Sequence, residues 1–311
     1  MSITVGTYNI LNPKYALDYN TPEGLAEGKD NWESRKNAIV QNIKNADLDI
    51  LAITEIGQNQ LNSIKADLEK LGYGIRHASH FNKSAVDGVA VIYKVKKFKL
   101  LDIRSLGAKD AKGHDRRALF VDLQYQGKVI RVASCHMRGG LGKGKADAWD
   151  VQCKGLHKFV SQKSKKNYQV DATVVAGDFN RDPSNIKFQV HALTTKGFVH
   201  DGSEAITENP NKYHKNGRKI DWVFAKGSLT LSQMTLKDQD YDASDHRMCA
   251  SRLNLKNQKA KKTTFTDYFN PKKAGRTTSN TMVAFSILTV GLFALALLIY
   301  SVFRSRIFFA G

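Results

Sequence analysis

The feature that most restricts what this chain can fold into is a series of short, apolar, β-branched runs that each stop on an acid, an amide or an imidazole. The plainest is Asp-Ala-Thr-Val-Val-Ala-Gly-Asp-Phe-Asn-Arg-Asp, residues 171–182. Ala172 to Ala176 has the composition of a buried strand, and Gly177 ends the run. In extended backbone, residues two apart point the same way. Asp178 and Asn180 therefore leave the strand end side by side. A carboxylate and an amide so placed can position a water, polarise it or help hold a hard cation. Gly-Asp-x-Asn is equally ordinary turn chemistry, so its meaning depends on the other runs.

The chain's 311 residues suffice for one large core or two small ones. Its 41% hydrophobic and 25% charged content is that of a globular protein. Net charge is the unusual quantity: +19, from 48 basic and 29 acidic residues. From Asn257 onward there are 8 basic residues and 1 acid, which leaves 40 basic against 28 acidic residues, or +12, on residues 1–256. The excess is not confined to a tail, and it implies a polyanionic partner: nucleic acid, an anionic membrane or both. A basic surface kept for solubility is the plain alternative. Cys135, Cys153 and Cys249 make an odd count without paired spacing and read as reduced thiols in a chain facing the cytosol.

Taken in order, the chain alternates like a strand from Ser2 to Ile10, with no signal peptide, and reaches Asn9 and Asn12. Lys14 to Lys29 reads as a loop. Trp32 to Ala46 has Trp32, Lys36, Ile39, Val40 and Ile43 at helical spacing. Asp49 to Ile53 is a buried strand that ends on Glu55, and Asn59 to Leu71 is a second helix. Strands follow at Tyr73–Ala78, Val89–Lys94, Phe98–Ile103, Ala118–Gln124 and Val129–Met137, the last two joined by a Gln126-Gly127 hairpin turn. Asp147 to Gln162 and Phe188 to Thr195 read as helical, Ile220–Ala225 and Met248–Leu253 as strands. Strands with helices between them imply a layered α/β fold.

Composition changes at Asn257. Residues 257–281 form a basic, polar linker without a core pattern. Met282 to Phe303 is then 22 residues without a charge, and a helix of that length spans about 30 Å of hydrocarbon. The expectation is a single-pass, tail-anchored membrane protein: catalytic domain 1–256 facing the cytosol, transmembrane helix 282–303, short tail 304–311. A buried core helix is the alternative. Lys272, Lys273 and Arg276 agree with the positive-inside rule, while Arg304 and Arg306 weaken the asymmetry.

Asn9, Glu55, His136, Asp178 with Asn180, Asp221 and Asp245-His246 all lie at or beside strand ends. They make a site if the sheet brings those ends together. Oxygen ligands without thiolate suit Mg²⁺ or Mn²⁺, and two histidines beside carboxylates suit proton transfer at phosphorus. In combination and order, Tyr-Asn-Ile-Leu-Asn, Asp-Ile-Leu-Ala-Ile-Thr-Glu, Asp-Gly-Val-Ala-Val-Ile-Tyr, Cys-His-Met, Gly-Asp-Phe-Asn, Ile-Asp-Trp-Val-Phe and Ser-Asp-His resemble the endonuclease/exonuclease/phosphatase superfamily, which includes deoxyribonuclease-like enzymes.

The resemblance covers residues 1 to about 254 and implies a four-layered α/β sandwich of two packed mixed β-sheets. It also implies roles. Glu55 binds the metal with Asn9 beside it, and Asp245 supports the same site. Asp178 orients or deprotonates the attacking water, and Asn180 hydrogen-bonds the phosphate. Asp221 pairs with His246, His136 contacts the phosphate, and Asp87 steadies His136. A divalent ion with cationic imidazoles would neutralise charge that grows in the transition state. Arg116, Arg117 and Arg138 are the cations placed to meet substrate phosphates; for the first two a solvated pair is the alternative. Thr54 stands where the family usually has Gln.

Two stretches mimic other motifs. Gly139 to Lys145 nearly spells a P-loop, but Ala146 replaces the Ser/Thr, so it reads as a basic rim beside His136. Lys262 to Phe269 resembles a sliding-clamp-binding box, with an interfacial aromatic cluster as the alternative. The whole points to a metal-dependent nuclease at a membrane. A phosphoinositide phosphatase or sphingomyelinase-type enzyme of the same fold, and a non-catalytic tether for nucleic acid or a clamp, are the rivals.

Overall fold

A computed structural model describes residues 2–18, 32–80, 87–109, 115–138, 145–162, 168–181, 193, 196–200, 205–209, 215–240 and 243–256. The expected linker, the 282–303 span, the clamp-like box, the rim at 139–144 and all but Leu193 of the helix expected at 188–195 lie outside them. Among the described residues no helix is long and apolar enough to cross a membrane.

Among the described residues, twelve strands form two sheets. The first sheet contains β1 (Ser2–Asn9), β2 (Ile50–Thr54), β3 (Tyr73–Ser79), β4 (Gly88–Lys94), β11 (Leu229–Met234) and β12 (Cys249–Leu255), in the order β11-β12-β1-β2-β4-β3. The second contains β5 (Lys99–Lys109), β6 (Asp115–Tyr125), β7 (Lys128–His136), β8 (Ala172–Asp178), β9 (Val199–His200) and β10 (Asp221–Gly227), in the order β5-β6-β7-β8-β10-β9. Both are mixed. β1 and β2 run parallel, as do β7 and β8, and the remaining pairs are antiparallel. Gln126 and Gly127 both adopt positive φ, 48° and 76°, as a two-residue hairpin turn requires.

The inner strands β2, β4, β7 and β8 are buried on both faces. Val5, Ile50, Ala52, Val89 and Val91 of the first sheet pack on Val121, Ile130, Val132, Val174, Ala176 and Val223 of the second. Outside the first sheet lie α2 (Trp32–Ala46) and α3 (Gln58–Lys70), whose Ile39, Ile43, Leu61, Ile64 and Leu68 cover Leu51, Ile53 and Ile92. Outside the second lies α4 (Lys145–Val160), whose Cys153, Leu156 and Phe159 cover Phe120, Ala133 and Val175. The result is an α/β sandwich around two packed mixed sheets.

The buried stripe of α2 differs from the periodicity reading. Arg35 and Asn42 turn inward with Trp32, Ile39 and Ile43, Val40 packs half-buried against the same core, and Lys36 pairs with Glu33 on the outer side. The stretch expected as a loop from Lys14 begins with a short helix, α1 (Pro13–Asp18). Proline is pre-organised for its first position and has no N–H to lose there. All three cysteines are free, in keeping with reduced thiols.

Candidate active site

Strand direction alone brings the expected residues to one edge. Parallel pairing sets Asn9, the last residue of β1, beside Thr54, the last of β2, so Glu55 follows next to it. In the other sheet it sets His136 beside Asp178. β10 runs back along β8, so its first residue, Asp221, meets Asp178. β12 runs back along β1, which delivers His246, just ahead of it, to the Asn9 end. β4 runs back along β2, which does the same for Asp87.

Side-chain contacts then close the ring. The Asn9 Nδ2 group donates to Glu55 Oε1 at 2.9 Å and to Asp178 Oδ2 at 3.1 Å, joining the two sheets. Its Oδ1 accepts Leu11 N–H at 3.0 Å, so the amide nitrogen, not the oxygen, faces the carboxylates. Asn9 thus acts here as a brace between two acids. Glu55 Oε2 accepts the N–H of Asn12 at 2.9 Å. Asp178 Oδ1 accepts Asn180 N–H at 2.7 Å, and Oδ2 accepts Asn180 Nδ2 at 3.2 Å, which also donates to Met137 O at 3.0 Å. His136 Nε2 lies 3.6 Å from Asp178 Oδ2 and 3.8 Å from Glu55 Oε1. His246 Nδ1 is 2.7 Å from Asp221 Oδ2, and Asp245 Oδ1 is 4.0 Å from His246 Nε2.

Two residues to which the sequence assigned no role hold this edge. Arg35 is buried and donates to the carbonyls of Ile10, Leu11 and Ala243 at 2.8–2.9 Å, tying the loop after β1 to the loop that carries His246. Ser244 Oγ donates to Asn9 O at 2.7 Å and accepts His246 N–H at 3.2 Å. The backbone itself is strained here. Glu55, Asn180 and Leu11 have φ of 60°, 52° and 52°, a region that non-glycine residues rarely occupy and that recurs at functional sites.

Of the expected phosphate cations, Arg116 sends NH1 to 2.7 Å from His136 Nδ1 and 3.5 Å from Asp87 Oδ2. Arg117 donates its backbone N–H to His80 Nδ1 at 2.9 Å, and Arg138 donates its own to Gln152 Oε1 at 2.9 Å. His80, also absent from the sequence reading, is buried with Nε2 3.9 Å from Asp87 Oδ2.

Burial, then Asp221 beside it, pushes Asp178 up from 3.8 to about 8. Burial, then Asp245, pushes Glu55 up from 4.5 to about 7. Burial also raises Asp245. His136 is drawn down from 6.5 to about 4 by burial and by the Arg116 charge. Burial opposes the charged form of His246 too, but Asp221 and Asp245 outweigh it and hold the ring well above 6.5. The surroundings therefore favour the charged form of His246 and the neutral form of His136, in contrast to the expectation of two cationic imidazoles.

Among the described residues, three clusters meet the distance requirement for a metal: His80–Asp87–His136, Glu55–His136–Asp178 and Asp178–Asp221–His246. Counting protons removes the imidazoles. A guanidinium only donates, so His136 Nδ1 accepts from Arg116 and the ring's proton sits on Nε2. His80 Nδ1 accepts a backbone N–H, so its Nε2 carries a proton as well. His246 Nδ1 is engaged by Asp221, and the neighbouring acids raise its proton affinity, which disfavours it as a ligand. Carboxylate oxygens from Glu55 and Asp178 remain, with Asp245 close enough to be felt at Glu55. Such a set fits a hard, oxygen-loving cation.

The pH dependence of stability follows. Between pH 6.5 and 8 the folded protein still holds protons on Asp178, Glu55 and His246 that the unfolded chain has released. Stability must fall with rising pH wherever the native state binds more protons. Below 6.5 the neutral His136 opposes that trend, because the unfolded ring is protonated and the folded one is not. In EDTA the melting temperature is expected to decline from pH 6.5 to 8, with Mg²⁺ raising it more at pH 8 than at 6.5. A flat or rising profile in EDTA would contradict the buried acidic centre.

The two-sheet sandwich thus gathers carboxylates, an amide and two imidazoles at one edge. The Endonuclease/Exonuclease/phosphatase family profile matches residues 6–246, and the chain belongs to that family. Protein angel of Drosophila melanogaster is 26% identical over 205 residues, which is 61% of this chain and 56% of that protein, so the chain spans about half the length of this relative. ANGEL2, a 2',3'-cyclic phosphatase crystallised with adenosine-2',3'-vanadate, superposes with a TM-score of 0.69 at 18% identity over 82% of this chain and 96% of that one. The human Nocturnin catalytic domain with bound sulfate gives 0.63 at 18% identity over 82% and 95%.

Proposed function

We propose that the chain is a divalent-metal-dependent phosphodiesterase that cleaves nucleic acid. The observation that carries this reading is the convergence of Asn9, Glu55, His136, Asp178, Asp221 and His246 within hydrogen-bond or near-contact distance at the edge shared by the two sheets. The +12 charge of residues 1–256 favours a polyanion as substrate.

Glu55, Asp178 and Asp245 would hold Mg²⁺ or Mn²⁺, and the bound ion would supply positive charge against the phosphoryl oxygens. Asp178 orients the attacking water and takes its proton. Its raised proton affinity and its fixed hydrogen bonds from Asn9 and Asn180 suit a base working near neutrality. Asp221 holds the His246 ring by Nδ1, so a fixed cation faces the growing charge on the phosphate. His136 presents its Nε2–H to the same oxygens as a neutral donor. Asn180 keeps both amide protons on protein acceptors in the free chain, so it braces Asp178 until substrate arrives. The basic segment 257–281 and the charge-free run 282–303 belong to this proposal as linker and membrane anchor, with the catalytic part facing the cytosol.

The full chain with Mg²⁺ should cleave single-stranded RNA, plasmid DNA or an RNA end bearing a 2',3'-cyclic phosphate, and EDTA should stop it. The cyclic end is included because the related ANGEL2 is a 2',3'-cyclic phosphatase. Turnover of phosphoinositide or sphingomyelin vesicles alone would transfer the site to the lipid reading. Tight nucleic-acid binding without any cleavage would make the chain a tether.

A further inference from the structure

Arg116 is the second residue of β6, and its NH1 lies 2.7 Å from His136 Nδ1. A guanidinium has donors and no acceptor, and it stays protonated. His136 Nδ1 must therefore accept, and the neutral ring carries its proton on Nε2. That nitrogen is the one 3.6 Å from Asp178 and 3.8 Å from Glu55. The same NH1 lies 3.5 Å from Asp87 Oδ2, and the other Asp87 oxygen accepts Tyr15 OH at 3.2 Å. Asp87 Oδ2 is 3.7 Å from His136 Nδ1, beyond hydrogen-bond reach, so the arginine stands where an acid–imidazole bond would otherwise form. His80 does not compete for the ring, because its Nδ1 is taken by Arg117 N–H and its Nε2 turns to Asp87.

We propose that Arg116 is a positioning residue that fixes the His136 tautomer, rather than a cation that meets the substrate phosphate. Without it, Asp87 becomes the nearest partner of Nδ1. A carboxylate can only accept, so the ring turns to the Nδ1–H form, and its Nε2 lone pair then faces Asp178, Glu55 and the phosphate oxygens. Electrostatic repulsion replaces a hydrogen bond at the point where charge accumulates. Glutamine at 116 still offers an N–H donor but carries no charge, whereas methionine offers neither. The pair separates tautomer control from phosphate binding.

The kinetic arm of the test rests on the phosphodiesterase reading; the spectroscopic arm does not. In the full chain labelled with ¹⁵N-histidine, the His136 shifts should show a bare Nδ1 and a protonated Nε2. Arg116→Met should protonate Nδ1, and Arg116→Gln should keep the wild-type pattern. With a cleavable substrate, Arg116→Met should lose kcat by about 100-fold with little change in KM, and Arg116→Gln should recover about tenfold of that loss. A protonated Nδ1 in the wild type overturns the proposal, with or without a substrate in hand. So does an equal rise in KM for both variants at unchanged kcat, the pattern of a phosphate-binding arginine. If a variant fails to fold, the wild-type spectrum decides alone.

Discussion

Replacing Asp178 with Asn is expected to lower turnover by about 10³-fold, the range in which a positioned general base contributes. The carboxylate is approached from both sheets: Asn9 reaches it from the first, Asn180 from its own strand end, and His136 stands 3.6 Å away. The substitution would also put an amide N–H against donors from Asn9 or Asn180, so the residual structure of the site is disturbed as well as its charge. A second signature accompanies the loss. Asp178 is one of the acids whose proton affinity burial raises, to about 8. Without it, the decline of melting temperature between pH 6.5 and 8 in EDTA should shrink, and the stabilisation by Mg²⁺ should shrink with it. Folded Asp178→Asn protein that keeps turnover within about threefold of wild type would remove Asp178 from the mechanism.

The largest structural effect is expected from Gly177→Ala. Gly177 has φ of 153°, and a Cβ there would sit 1.8 Å from Cys135 O. That obstacle is backbone of the neighbouring parallel strand, which cannot swing aside as a side chain can. β7 and β8 must separate, one residue before the His136–Asp178 pair. The expected cost is about 4 kcal/mol or more, with turnover lost in whatever fraction still folds. Gly127→Ala is the control. Its φ is 76°, but nothing lies within 4 Å of the added carbon, so only the conformational penalty of about 1 kcal/mol applies. Urea midpoints of the two variants make the comparison, and similar values would mean that the β7–β8 contact is looser than described.

Much of this site could be read from one dimension because strand direction does the assembling. Runs such as Asp49–Ile53 and Ala172–Ala176 declare themselves by β-branched composition, and the polar residue just past each run is carried to the sheet edge by parallel pairing. What escaped the sequence was held by contacts that periodicity discards. Arg35 looks like a surface residue because it is charged, although it falls three after Trp32 and four before Ile39 on the buried stripe of α2. Ser244 has no signal beyond adjacency to Asp245-His246. α1 was hidden because a six-residue helix is too short to show a period. β11, at the edge of its sheet, alternates between half-buried and exposed positions and lacks the apolar density of the inner strands. Proton positions were out of reach altogether. Whether His136 donates through Nε2 or Nδ1 depends on Arg116 at 2.7 Å, a distance with no trace in residue order.

Neither sheet owns a whole active site. Asn9, Glu55 and His246 travel with one slab, His136, Asp178 and Asp221 with the other, and an oily seam rich in valine, isoleucine and alanine, bridged at the site by the Asn9–Asp178 and His246–Asp221 contacts, fixes how they are aligned. Catalysis therefore gauges how well two slabs are seated. Slippage of about an ångström along the seam would leave every strand intact and the reactive groups misaligned, enough to cost a large factor in rate. Warming or thinning that seam should silence the enzyme at temperatures where spectroscopy still reports a folded protein.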